Sequence, residues 1–261
     1  MSKTKFGTKE WAEVNKNIQV GCEHDCRYCY ARYNAMTRLK KIKDAKEWTK
    51  PVLDVARYAE KPRKYRGRIM FPTQHDITGE NVYKCSNYLQ GWLEAGNNIL
   101  IVSKPHYMVI RQLCEDLEKY KDQIVFRFTI GSMYDSNLKF WEPNAPDYAE
   151  RKKALKYAFD HGFKTSVSVE PMLDRAMIPL VEDLLPYITD TIWLGKMNFV
   201  KPRVDTTGWT KDDFVYMNLV QETLTDSFVH YLYDRFKDNP KVKWKESIKK
   251  VLNLPDEEGV A

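Results

Sequence analysis

Short apolar runs alternate with stretches of helical period along most of the chain. Residues 17–21, 68–73, 98–103, 123–130, Lys164–Val169 and 190–194 are apolar for most of their length, and glycine or proline closes nearly all of them, at Gly21, Pro72, Pro105, Gly131, Pro171 and Gly195. Near-continuous apolar character over so few residues suits parallel strands buried on both faces. The gaps between them read as helices. Residues 81–95 run into Gly96 and 147–161 into Gly162, both helix stops. Residues 106–120 place Val109, Ile110, Leu113 and Leu117 on one face, and 177–187 carry Leu180, Leu184 and Leu185. Such alternation predicts an α/β fold, a partial (βα)6 TIM-type barrel with right-handed crossovers.

After Leu194 the pattern changes. Thr210-x-x-Asp213 reads as a capping box opening one long helix that carries Met217, Val220, Leu224, Phe228, Tyr231 and Leu232. The expected organisation is therefore a barrel over residues 1–198 and a C-terminal helical cover over 199–261, packed as a single unit.

Composition narrows the class. Of 261 residues, 43% are hydrophobic and 30% charged, the balance of a soluble folded chain. No apolar run approaches the ~18 residues of a membrane span. The start, Met1-Ser2-Lys3-Thr4-Lys5, leads into no apolar segment of a secretory signal, so a cytoplasmic protein is expected. The net charge of +6 is concentrated. Between Arg38 and Arg68 twelve Lys or Arg face four acids, a local +8 on a chain otherwise at −2. Such a field steers anionic partners, nucleic acid or an acidic protein, although a solvated surface reads the same way.

Five cysteines are an odd number, and three fall within eight residues, which favours a metal site in a reducing compartment over disulfides. The segment is Gly21-Cys22-Glu23-His24-Asp25-Cys26-Arg27-Tyr28-Cys29-Tyr30-Ala31. Its Cys-x3-Cys-x2-Cys spacing on a loop after the first strand offers three thiolates, enough to cap three corners of a cubane cluster and leave one iron free. Zinc is the competing metal, but it takes four ligands, commonly from two Cys-x2-Cys pairs. Here Cys85 and Cys114 stand alone, and His24 lies between two of the cysteines.

The loop resembles that of the radical S-adenosylmethionine (SAM) superfamily, down to the aromatic Tyr28 before the last cysteine. Within it the chain is similar to the spore photoproduct lyase-like group, often labelled DNA repair photolyase. The segments that carry this are Phe71-Pro72-Thr73-Gln74-His75-Asp76-Ile77-Thr78, Ile101-Val102-Ser103-Lys104-Pro105, Arg127-Phe128-Thr129-Ile130-Gly131-Ser132, Ser168-Val169-Glu170-Pro171-Met172 and Trp193-Leu194-Gly195-Lys196-Met197-Asn198. The resemblance implies a 4Fe-4S cluster on Cys22, Cys26 and Cys29, and SAM on the open iron. One electron would cleave SAM to a 5′-deoxyadenosyl radical that takes hydrogen from a substrate. It further implies a reduced flavodoxin- or ferredoxin-type electron donor.

Polar residues gather where the strands end, the rim on which barrel active sites are built. Tyr28, Thr73, Gln74, His75, Ser103 and Lys104 are the expected SAM contacts, although the Gly-Gly-Glu usual in related enzymes is absent. A lysine after the third strand resembles one that the lyase places on SAM. Thr129, Ser132 and Glu170 are placed for the ribose, and Lys196 for adenine or substrate. Spore photoproduct lyase returns a hydrogen atom from a cysteine, which makes Cys85 the candidate donor here. The substrate suggested by the basic stretch is nucleic acid. A peptide, protein or small metabolite is a second enzyme reading, and a non-catalytic metal-binding module with a basic partner patch a third.

Overall fold

The computed structural model describes residues 7–255, so the N-terminal pentapeptide read above and the last six residues lie outside the described residues. In chain order the strands are β1 (Val14–Asn15), β2 (Gln19–Val20), β3 (Val52–Leu53), β4 (Ile69–Phe71), β5 (Ile99–Ser103), β6 (Ile124–Thr129), β7 (Lys164–Val169), β8 (Ile192–Leu194) and β9 (Val242–Trp244). The helices are α1 (Tyr30–Thr37), α2 (Ala45–Trp48), α3 (Val55–Tyr58), α4 (Val82–Glu94), α5 (Tyr107–Leu117), α6 (Asp135–Trp141), α7 (Tyr148–Asp160), α8 (Met177–Leu184), α9 (Val200–Arg203), α10 (Lys211–Thr223), α11 (Asp226–Phe236) and α12 (Glu246–Leu252).

Seven strands form one parallel sheet in the order β1-β4-β5-β6-β7-β8-β9, with helices between successive strands, so the expected α/β architecture holds. The two-residue period sorts side chains to opposite faces. Ile69, Phe71, Ile99, Ile101, Phe126, Phe128, Val167, Val169, Ile192 and Leu194 face outward into one apolar core shared with α4, α5, α7, α8 and α11. Met70, Leu100, Val125 and Trp193 face inward, where Trp11 and Ala12 from the N-terminal segment fill the space. Arg127 is buried on this side, its guanidinium 4.6 Å from the Trp11 ring and 5.4 Å from that of Trp193, with Nε donating to Ser166 Oγ at 2.9 Å.

The sheet is open, yet its two edges meet through side chains. Lys245, just after β9, donates to the Gly7 carbonyl at 3.0 Å and pairs with Glu10, and the Glu246 amide donates to Glu10 at 3.1 Å. This ties the segment before β1 to the segment after β9 and curves the sheet around Trp11.

Three elements differ from the sequence reading. The first strand of the sheet is β1, not residues 17–21. The chain leaves the ladder after Lys16, whose amide donates to Met70 O at 2.9 Å, and Asn17 spends its side chain on the β4 loop instead. Gln19–Val20 pairs antiparallel with Val52–Leu53 in a separate two-stranded ribbon. The single C-terminal helix is two, because Thr225 caps α11 by accepting from the Phe228 amide at 3.3 Å. The extension also supplies a seventh parallel strand, β9, in a stretch read as helical. The predicted capping box at Thr210 and Asp213 is present.

Candidate metal and cofactor site

The cysteine loop hangs over the C-terminal ends of the strands. Gly21 starts it at φ +103°, and a Cβ there would lie 2.7 Å from Trp48 O, so only glycine lets the Cys22 amide reach that carbonyl at 2.8 Å. The loop closes on α1, where Cys29 is the N-cap and its Sγ accepts from the Arg32 amide at 3.4 Å. Arg32 turns back to bond Asp25 at 2.6 Å, a residue held at φ +50°.

All three thiols are free, Cys22 and Cys26 buried and Cys29 half-buried. Burial pushes each of them up, and the Asp76 carboxylate adds to the effect at Cys22. Lys104 opposes burial at Cys26 and Cys29. Bare thiols here keep their protons, and a metal binds by displacing them. Three sulfur donors on one short loop, with a backbone N–H on Cys29 and a buried cation beside two of them, fit a cubane with one uncapped iron. Cys85 and Cys114 lie in the apolar core and offer no fourth sulfur.

The residue that organises the site is Asp76, on the loop after β4. Its Oδ1 accepts from the Lys104 amide at 2.8 Å and Ser103 Oγ at 3.1 Å. Its Oδ2 meets His24 Nδ1 at 2.9 Å, Lys104 Nζ at 3.4 Å and Cys22 Sγ at 3.8 Å. Burial alone would raise this carboxyl, but Lys104 and His24 outweigh it and hold the group well below the usual range. Asp76, and after it Cys26, Tyr28 and Glu142, raise the Lys104 ammonium against its own desolvation. His24 continues the chain outward, its Nε2 2.8 Å from His106 Nε2.

Cys22, His24 and Asp76 bring their donor atoms within 4.8 Å of one another, the nearest approach to a zinc set. Lys104 already puts a positive charge on that carboxylate, and Cys26 and Cys29 stand outside the group.

The remaining expected contacts divide. Gln74, Thr129 and Glu170 lie half-buried along the rim. Burial raises the Glu170 carboxyl, while Lys245, 3.7 Å away, opposes this. Tyr28 reaches down, its hydroxyl donating to Glu142, which is itself ion-paired with Arg151 at 2.6 Å in a fully buried pair. Thr73 is anchored by Asn17, whose amide donates to its Oγ1 at 2.7 Å.

Five of the expected residues have partners within the protein. His75 spends both ring nitrogens on backbone, accepting from Ile18 N at 3.3 Å and bonding Asp76 O through Nδ1 at 3.0 Å, so it ties two loops together. Ser103 is occupied by Asp76 and the Ile77 amide. Ser132 is buried against Asp174, which also takes Asn137 at 2.8 Å. Lys196 points to the C-terminal helices and donates to Leu224 O at 2.8 Å. Cys85 is fully buried on the core face of α4, its Sγ 3.4 Å from Asn81 Oδ1. Polar residues at strand ends serve loop closure as readily as ligands, which the pattern alone does not separate.

His75 has a measurable consequence. Burial lowers its pKa from 6.5 to about 4. Between those values the unfolded chain binds a proton that the folded chain refuses, so stability falls on acidification from pH 6.5 to 4, by roughly 3 kcal/mol in total. Denaturant midpoints measured across that range should show this loss, and His75→Gln should remove most of the slope. An unchanged slope in the variant would contradict the assignment.

Two residues escaped the sequence reading. Asp76 was one polar residue among several; its preceding His75 was the more conspicuous. Phe199, just beyond β8, is 70% exposed at φ +56°, with the Arg203 guanidinium 5.0 Å from its ring and 5.9 Å from that of Tyr30. A lone phenylalanine in a loop gives no signal of this kind.

Comparison with known proteins agrees with the geometry. The family model described as the radical SAM superfamily matches residues 16–175. An uncharacterized protein of Acidianus two-tailed virus is 26% identical over 166 residues, 60% of this chain and 54% of the viral one, so the match spans about half of that relative. An uncharacterized protein of Methanocaldococcus jannaschii is 23% identical over 254 residues, 94% of this chain and 86% of the other. Among solved structures, spore photoproduct lyase complexed with dinucleoside spore photoproduct superposes at a TM-score of 0.54 with 15% identity, over 93% of this chain and 78% of that one. Streptococcus suis SuiB bound to precursor peptide SuiA gives 0.57 with 15% identity, over 95% of this chain and 51% of that one. At these identities the two structures support the fold. Among the described residues no helix is long and apolar enough to cross a membrane.

Proposed function

The chain belongs to the radical SAM superfamily and is an enzyme of that class, and from this premise we propose that it abstracts hydrogen from a nucleic-acid substrate. The observation that carries the radical chemistry is the set of three free thiols on one loop over the strand ends, braced by Asp76 and Lys104. Cys22, Cys26 and Cys29 would hold a 4Fe-4S cluster. When bound, the cluster would supply the electron that cleaves SAM to a 5′-deoxyadenosyl radical.

The chain's own residues bind and orient. Lys104 presents a buried ammonium between the cysteines and Asp76, suited to a SAM carboxylate. Gln74 and Thr129 carry side chains with no partner among the described residues and are assigned to SAM. Glu170, steadied by Lys245, accepts from ribose hydroxyls. Asp76, His75, Ser103, Ser132 and Lys196 act as scaffold. We assign residues 7–198 to the catalytic barrel, and the extension after them packs on it and completes the sheet.

Phe199 supports the substrate class. An exposed aromatic in a strained backbone, stacked with Arg203 beside Tyr30 at the rim, is a platform for a planar base. The similar lyase is solved with a dinucleoside photoproduct, in keeping with this reading, whereas SuiB is solved with a peptide. Reconstituted enzyme given deuterated oligonucleotides should transfer deuterium into 5′-deoxyadenosine, read by mass spectrometry. Phe199→Ala should raise KM about tenfold with kcat nearly kept. Label transfer from peptides alone would overturn the substrate and leave the radical chemistry standing.

A further inference from the structure

The basic stretch seen in the sequence is two surfaces in the fold. Its second half runs to the far end of the sheet. There Asn97, just before β5, takes the Tyr65 amide at 2.8 Å and donates to Arg63 O at 3.0 Å, while Lys64 bonds Gly96. Arg57 is spent on Asp54 at 3.2 Å. Its first half behaves differently. Residues 38–50 form the outer wall of the cysteine loop: Cys22 packs with Ala31, Ala35 and Trp48, with Ile42 against them. The ribbon of β2 and β3 then leads straight into Gly21 and Cys22.

On this wall Arg38, Lys40, Lys41, Lys43, Lys46 and Lys50 are exposed, against exposed Asp44 and Glu47. Among them Leu39 is 53% exposed, Val52 67% and Val55 68%. Lys41 reaches Asp54 at 4.0 Å, which places the 39–41 turn beside the start of α3. Apolar side chains ringed by predominantly positive charge suit a protein-docking patch better than a nucleic-acid groove, which would carry exposed aromatics for stacking. The large exposed aromatics lie elsewhere, Tyr30 at the start of α1, Tyr83 on α4, Tyr134 and Phe199 in loops, Phe214 on α10 and Tyr231 on α11.

We propose that the face formed by residues 38–55 docks an acidic, flavodoxin-type one-electron donor against the outer side of the cysteine loop, opposite the rim where substrate binds. This rests on the assignment of a cluster to Cys22, Cys26 and Cys29. The step balances: one electron leaves the reduced flavin, which is oxidised by one, and enters the cluster, which is reduced by one; no atom moves. Trp48 joins this face to Cys22, sharing its apolar cluster and accepting from its amide at 2.8 Å. The lysines steer the approach and set its salt dependence, and Leu39, Val52 and Val55 supply the contact.

The probe is a recombinant flavodoxin of net negative charge, titrated onto the full chain by calorimetry at low and at physiological salt. Binding should weaken about tenfold or more in the K40E/K43E/K46E/K50E variant, and about as much in wild type as salt rises. Arg63→Glu with Lys64→Glu, at the far end of the sheet, should leave binding unchanged. As a second reading, 5′-deoxyadenosine formation should fall in the lysine variant with flavodoxin as reductant and stay at the wild-type level with dithionite, which needs no docking and also reports an intact fold. Unchanged flavodoxin binding in the lysine variant overturns the docking face even where dithionite supports turnover. Oligonucleotide binding lost on the same substitutions, with flavodoxin binding kept, overturns it in favour of nucleic acid. Failure with both reductants in wild type strikes the proposed radical chemistry instead.

Discussion

Cys26→Ala should leave a folded protein that fails to retain the proposed cubane. Wild type reconstituted anaerobically should carry about four iron and four sulfide per chain, and the variant well under one, with loss of the thiolate-to-iron absorbance. The substitution removes only a small buried thiol, so the fold should survive, and circular dichroism checks that. Formation of 5′-deoxyadenosine should drop below detection, since the two remaining sulfurs would cap only two corners. Cys85→Ala, deep on α4, should keep both iron and turnover, because that thiol touches only core and Asn81. Retention of four iron by Cys26→Ala would end the three-cysteine assignment. Tight stoichiometric zinc, with no iron after reconstitution, would turn the site into a structural centre.

Asp76→Ala should cost about 3–5 kcal/mol of stability, the loss expected when one partner of a buried charged cluster is removed. The carboxylate is the common acceptor for the Lys104 amide and ammonium, Ser103 and His24, and without it the Lys104 charge is left buried and poorly paired. The damage should extend to the cysteine loop, since His24 and Cys22 both lean on Asp76. Urea midpoints give the stability, and iron retained after desalting gives the loop. Asp76→Asn should lie between the two, because Oδ1 can still accept from Ser103 and the Lys104 amide while the charge is gone. A midpoint for Asp76→Ala within about 0.5 kcal/mol of wild type would show that the cluster of contacts contributes little.

The sheet was largely legible because its strands are bounded runs of apolar residues. β7 occupies Lys164–Val169, and β5 and β6 differ from the expected spans by one residue at each end or at one. β1 and β9 were not legible, for they are two- and three-residue edge strands whose identity comes from the neighbour that pairs with them. The break between α10 and α11 was hidden because Thr225 sits in an apolar stripe that continues at helical spacing on both sides. The cysteine loop announced itself by spacing alone. The aromatic load, uninformative as composition, resolves into particular tasks: Trp11 and Trp193 fill the inside of the sheet, and Phe140, Tyr216 and Trp209 join α6 to α10.

Local chemistry along the chain thus determined the α/β alternation, the three-thiol loop and the excess of positive charge, since each depends only on residue types at short separation. Which polar rim residues remain free was decided by tertiary structure. Asp76 became the centre because His24, 52 positions before it, and His106, 82 positions after His24, close a chain of contacts that no local pattern contains. The basic stretch was likewise one segment in sequence and two surfaces in space. The fold turns back after α3, leaving half of the charge against the cysteines and carrying the other half to the opposite end of the sheet.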